Sequence, residues 1–160
     1  MINLFRQIIK FIKNLFINPD FSGRVNVLDV AIYLVQISLK KEKFLNINQL
    51  IQMLFIIQKS YLENKNFALF KEDFTLDNKG RLLLKDVCGY FAGFGFMDLW
   101  IPYSENKLSK DYRDDLDMLF DLFVDRIKSG EFKKQIEFAL KDFNSDSQLF
   151  KRWILYNVKI

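Results

Sequence analysis

The sequence predicts a mainly helical, compact domain of about six or seven helices with at most one small β-hairpin. Three observations predict it. Apolar residues recur at helical spacing along most of the 160 residues. Only two prolines and six glycines interrupt them. Half of the residues are apolar, 18 of them Phe, which is ample for one core. A disordered chain would need low hydrophobicity and high net charge.

Residues 2–17 read as an amphipathic helix. Leu4, Ile8, Ile12 and Leu15 follow helical spacing, widened by Phe5, Ile9 and Phe16. Arg6, Lys10 and Lys13 take the other face. Asn18-Pro19-Asp20 stops it, because a proline disfavours helix at the residue before it. Three readings of this helix stay open: packing on its own domain, docking on a partner, or lying on an anionic membrane. The first is favoured, since three cations are few for membrane capture. Residues 1–20 thus form an N-terminal segment ahead of a single helical domain over 21–160.

A second helix covers about 25–41, with Val27, Val30, Ala31, Leu34, Val35 and Ser38 as its buried stripe. Asn46 or Asn48 can cap a third helix that runs to about residue 63, since a short amide oxygen accepts an orphan backbone N–H. Leu50, Ile51, Leu54, Phe55, Ile57, Tyr61 and Leu62 nearly encircle it, which places it centrally. Residues 66–83 are the β candidate, with Asp77-Asn78-Lys79-Gly80 as its turn. A helix over about 83–92 leads into Gly89, Gly93 and Gly95, interleaved with Tyr90, Phe91, Phe94 and Phe96. That order matches no phosphate loop and reads as helix termination and close packing by small residues. A linker over 102–107 precedes a fifth helix, 109–128, striped by Tyr112, Leu116, Leu119, Phe120, Phe123 and Ile127. A sixth helix over 131–143 and a last one over 147–157 complete the chain.

Several function classes find no support. The chain has no His, the commonest metal ligand and general base. Cys88 has no activating base and reads as a small core residue. Asp111, Asp114, Asp117, Asp121 and Asp125 form an acidic ridge on the fifth helix, read as a solvated face. Asp142 opens a calcium-like run. Ser147 replaces its turn glycine and Trp153 its bidentate Glu, so the match fails. No catalytic residue, metal or cofactor is therefore expected. The net charge of +4 is mild, and the 24 basic residues are scattered beside 20 acidic ones, so no nucleic acid is expected either. A single cysteine, no bilayer-spanning run and no cleavage site make the cytoplasm the expected location.

Residues 25–95 resemble the Panacea domain, the SocA-like antitoxin family, as a divergent member. Val27-Leu28-Asp29-Val30-Ala31-Ile32-Tyr33-Leu34 is similar to the family's opening helix. In the helix after Asn46, Leu50, Leu54, Gln58, Tyr61 and Leu62 match the family pattern, and Phe55 replaces a Tyr. Leu69-Phe70-Lys71-Glu72-Asp73-Phe74 is similar to its P-L-F-x-E-x-F segment, and Gly80 falls on the glycine of its G-P-V element. Asp77 and Arg81 depart from the usual Trp and Pro, and the C-terminal His is missing, with Trp153 as a remnant of that signature. The resemblance implies a helical domain that neutralises a toxin encoded nearby by direct binding. It also implies adaptors that deliver a partner to an energy-dependent protease.

The expected function is therefore that of a protein-binding module, an antitoxin or adaptor. The alternative is a regulatory protein associated with a membrane surface or nucleic acid. Gln49, Gln52 and Gln58 are the candidate partner-binding residues, as polar marks on an apolar helix. Buried amides need hydrogen-bond partners, so they either tie down the 66–83 segment or line a groove that a partner fills.

Overall fold

A computed structural model describes residues 2–16, 19–102 and 104–140. The fold is mainly helical with one small two-stranded antiparallel sheet. Helix α1 spans Ile2–Phe16, α2 Val27–Lys40 and α3 Ile47–Lys65. Strands β1 (Thr75–Leu76) and β2 (Leu82–Leu83) follow, then α4 (Lys85–Tyr90) with a 3-10 turn at Ala92–Phe94. Helices α5 (Lys110–Lys128) and α6 (Glu131–Leu140) end the described part. The expected last helix, with Trp153 and the calcium-like run from Asp142, lies outside the described residues.

The helix starts follow local chemistry. The Asn26 side chain accepts from the Leu28 N–H and caps α2. Asn46, not Asn48, caps α3, in a reciprocal box: Asn46 Oδ1 accepts from the Gln49 N–H while Gln49 Oε1 accepts from the Asn46 N–H. Asn66 closes α3 in the left-handed conformation. Asp77 Oδ1 accepts from the N–H groups of Lys79 and Arg81, which builds the turn between β1 and β2.

Helix α3 is the centre. It packs against α2, α5 and β2, and every residue from Leu50 to Lys59 is buried. The expected core residues Leu50, Leu54, Phe55 and Tyr61 are all at most 2% exposed. The stripes expected on α2 and α5 are likewise buried, except that Tyr112 is only partly so. Cys88 is not in the core proper but packs half-buried against it.

Residues 20–25 form a strap across residues 66–71. The Asp20 N–H donates to Asn66 O, the Ala68 N–H to Asp20 O, and the Arg24 and Val25 N–H groups both to Leu69 O. At Gly23, φ is +79°, and a Cβ would sit 2.4 Å from Lys71 N.

On the acidic ridge of α5, four of the five carboxylates form ion pairs or hydrogen bonds. Asp121 pairs with Lys41, Asp125 with Lys43 and Asp114 with Lys110, while Asp117 accepts from the Tyr33 hydroxyl. Burial and that bond push the Tyr33 hydroxyl up to about 12. Among the described residues no acidic cluster is placed to hold a metal ion.

Asp115 joins α3 to α5, accepting from the Tyr61 hydroxyl (2.8 Å) and from Lys65. Burial alone pushes its carboxyl up. The bonds from Lys65 and Tyr61 outweigh burial and hold it below its ordinary value. A carboxyl lowered on folding stabilises above its unfolded value, and that stability is lost as pH falls through the folded value. Stability is therefore expected to drop below about pH 4, and Asp115→Asn should flatten that drop. Matching acid-denaturation curves for the two proteins would refute the assignment.

Candidate functional site

A groove runs beside the N-terminal turns of α3 and is built from two clefts. The first, of about 310 Å³, lies among α3, the hairpin, the end of α5 and the start of α6. Asn46, Asn48, Gln49, Gln52, Arg81, Lys128 and Lys133 line it, with Ile136 and Glu137. The second, of about 210 Å³, continues toward α4 and is lined by Ile47, Ile51, Leu83, Cys88, Phe91 and Phe96. Asn48, Arg81 and Leu82 belong to both.

The capping box sets the start of α3, and with it the direction in which Asn48 and Gln52 leave the helix. The hairpin turn sets the opposite wall. There Arg81 Nε pairs with Asp77, whose carboxyl is lowered by the Arg81 backbone N–H and by the guanidinium beside it. The α5–α6 corner closes the end. Arg126 grips Glu131 with two nitrogens at 3.0 and 3.1 Å and lowers its carboxyl by hydrogen bonding. Lys128 Nζ donates to Phe44 O across the corner.

The three glutamines part company. Gln58 is taken up inside the fold, not in the groove. Its Oε1 accepts from the Leu69 N–H at 2.8 Å and the Phe70 N–H at 3.4 Å, and its Nε2 donates to Phe70 O at 2.7 Å. Gln49 lines the first cleft but engages its oxygen in the capping box. Gln52 lines the same cleft, is 9% exposed, and its buried Oε1 has no hydrogen-bond partner. The terminal torsion of a glutamine is soft, so a small rotation can bring this oxygen to an incoming donor.

The second feature of the site was not foreseen from the sequence. Tyr90, Phe96, Met97 and Trp100 are 55–76% exposed. The backbone beneath them is held: Phe91 and Leu99 are buried, and the Leu99 N–H donates to Leu45 O at 2.8 Å. The neighbouring glycines do not serve close packing, because a Cβ at Gly89, Gly93 or Gly95 would meet nothing within 4 Å. Gly95 instead turns the chain at φ +55° and ψ −122°, a conformation that glycine adopts freely. Alternating Gly and aromatic residues carried this signal, but burial cannot be assigned from type alone.

A wider depression between α2 and α5, lined by Tyr33, Gln36, Lys41, Asp117 and Asp121, is bridged by its own bonds. Tyr33 meets Asp117, Lys41 meets Asp121, and Gln36 Nε2 donates to Ser104 O. No helix among the described residues is long and apolar enough to cross a membrane. No family model matches the chain, and no curated protein or solved structure matches it either.

Proposed function

We propose that this chain is a protein-binding module that holds its partner at the groove and at the aromatic segment beside it. The observation that carries this reading is the exposure of Tyr90, Phe96, Met97 and Trp100 on an anchored backbone. Aromatic residues and Met are enriched in protein interfaces, and a few such anchors supply most of the binding energy. A rigid backbone beneath them reduces the ordering cost of association. Gln52 adds a polar requirement, since its unpaired oxygen favours a partner that brings a donor. The resemblance to the SocA-like antitoxins makes a toxin encoded nearby the partner to test first. An adaptor role toward an energy-dependent protease uses the same surface.

The test is co-expression with each neighbouring reading frame. One frame should be harmful alone, tolerated together with this protein, and recovered in complex with it. Trp100→Ala and Phe96→Ala should each weaken that complex at least about tenfold, as interface anchors do when truncated. Their melting temperatures should stay at the wild-type value, because both side chains are exposed. Full binding by both variants would overturn the assignment of the surface. The absence of any harmful neighbour or co-purifying protein would overturn the antitoxin reading.

A further inference from the structure

Helix α1 was expected to pack on its own domain, but its described side chains do not. All residues from Ile2 to Ile9 are exposed, including Ile2 (74%), Leu4 (62%) and Phe5 (66%). At about 100° per residue, helical spacing sorts the sequence of α1 cleanly. Leu4, Phe5, Ile8 and Ile9 share one side, and the sequence continues that side with Phe11, Ile12, Leu15 and Phe16. The opposite side takes Asn3, Arg6, Gln7, Lys10, Lys13 and Asn14. The apolar arc spans about half the circumference, wider than the roughly 100° stripe of a helix packed on one neighbour.

Three cations are few for membrane capture by charge alone, but the exposed apolar arc adds its own attraction, and the charge favours an anionic occupant. Ile2–Phe16 contains no acidic residue, and Arg6, Lys10 and Lys13 supply three of the chain's four units of net positive charge. Several cations elsewhere meet acids, as in Arg24–Asp20, Lys65–Asp115 and Arg126–Glu131. Arg6 forms no ion pair among the described residues. A second α1 could cover the apolar arc but would bring three more cations and no acid.

We propose that α1 lies in the plane of an anionic lipid surface. Its apolar side enters the boundary between headgroups and acyl chains, and its cationic side faces anionic headgroups. At about 1.5 Å per residue the helix offers roughly 22 Å of such contact, parallel to the surface rather than across it. The module would then present its groove and Trp100 segment at a membrane.

The full chain is tested by flotation with vesicles of phosphatidylcholine, alone or mixed with phosphatidylglycerol. It should float with the mixed vesicles at least about tenfold more strongly, and high salt should reduce the difference. Ile8→Asp should abolish flotation without changing the melting temperature. Arg6→Gln and Lys13→Gln should each weaken binding to mixed vesicles about fivefold and leave binding to neutral vesicles unchanged. Trp100→Ala should float like the wild type, which separates this inference from the proposed protein-binding surface. Equal flotation of Ile8→Asp and wild type would overturn the proposal. So would self-association or partner capture that requires Ile8 in a chain that does not float.

Discussion

Gly23→Ala is expected to cost about 2–5 kcal/mol of folding stability. Left-handed backbone at a non-glycine residue costs about 1–2 kcal/mol. The new Cβ adds a steric term, because it would lie 2.4 Å from Lys71 N and 2.9 Å from the Phe70 carbonyl carbon. Both obstacles are backbone, so no side chain can swing away. The strap over 20–25 must lift from residues 66–71, and overpacking of this kind costs about 1–3 kcal/mol. The bonds from Arg24 and Val25 to Leu69 O would stretch with it. Gly80→Ala is the control: its φ is also positive, but nothing lies within 4 Å of its Cβ, so only the backbone strain remains. Urea denaturation of both variants measures the difference. Equal losses would show that the strap does not press on Lys71.

Gln58→Leu is expected to cost about 2–6 kcal/mol, although leucine suits a buried site. The amide of Gln58 serves the Leu69 N–H and the Phe70 carbonyl, which the strap does not reach. Leucine would leave the Leu69 N–H without Gln58 Oε1 and the Phe70 carbonyl without Gln58 Nε2. Each buried group left unpaired costs about 1–3 kcal/mol. The Leu69 carbonyl on the same segment receives the strap, so the two substitutions act on one layered structure. Residues in one hydrogen-bond network are coupled. The double variant should therefore lose less than the sum of the two single losses. A Gln58→Leu protein within about 0.5 kcal/mol of wild type would show that these bonds contribute nothing net.

What could be read in the sequence was whatever depends on near neighbours. Helical spacing located α2, α3 and α5 to within a few residues and marked α3 as central, because apolar side chains at those intervals must share a face. The Asp77–Gly80 turn was legible for the same reason: its chemistry lies within four residues. The fate of the three glutamines was not legible. Gln49, Gln52 and Gln58 are alike in type and lie on one apolar helix. Yet Gln58 meets Leu69 and Phe70, Gln49 caps its own helix, and Gln52 Oε1 has no hydrogen-bond partner. Lys59 shows the same limit: a cation among apolar neighbours proves 2% exposed and paired with Glu63. Burial also separated aromatic residues that sequence treats alike, with Phe91 at 1% and Phe96 at 76% exposed. The sequence by itself determined which segments are helical and which faces are apolar, since these are local and periodic properties. Only the tertiary structure decided which apolar faces are covered and which amides are satisfied. Coverage and hydrogen bonding depend on residues distant in the chain, and no local spacing encodes where those residues arrive.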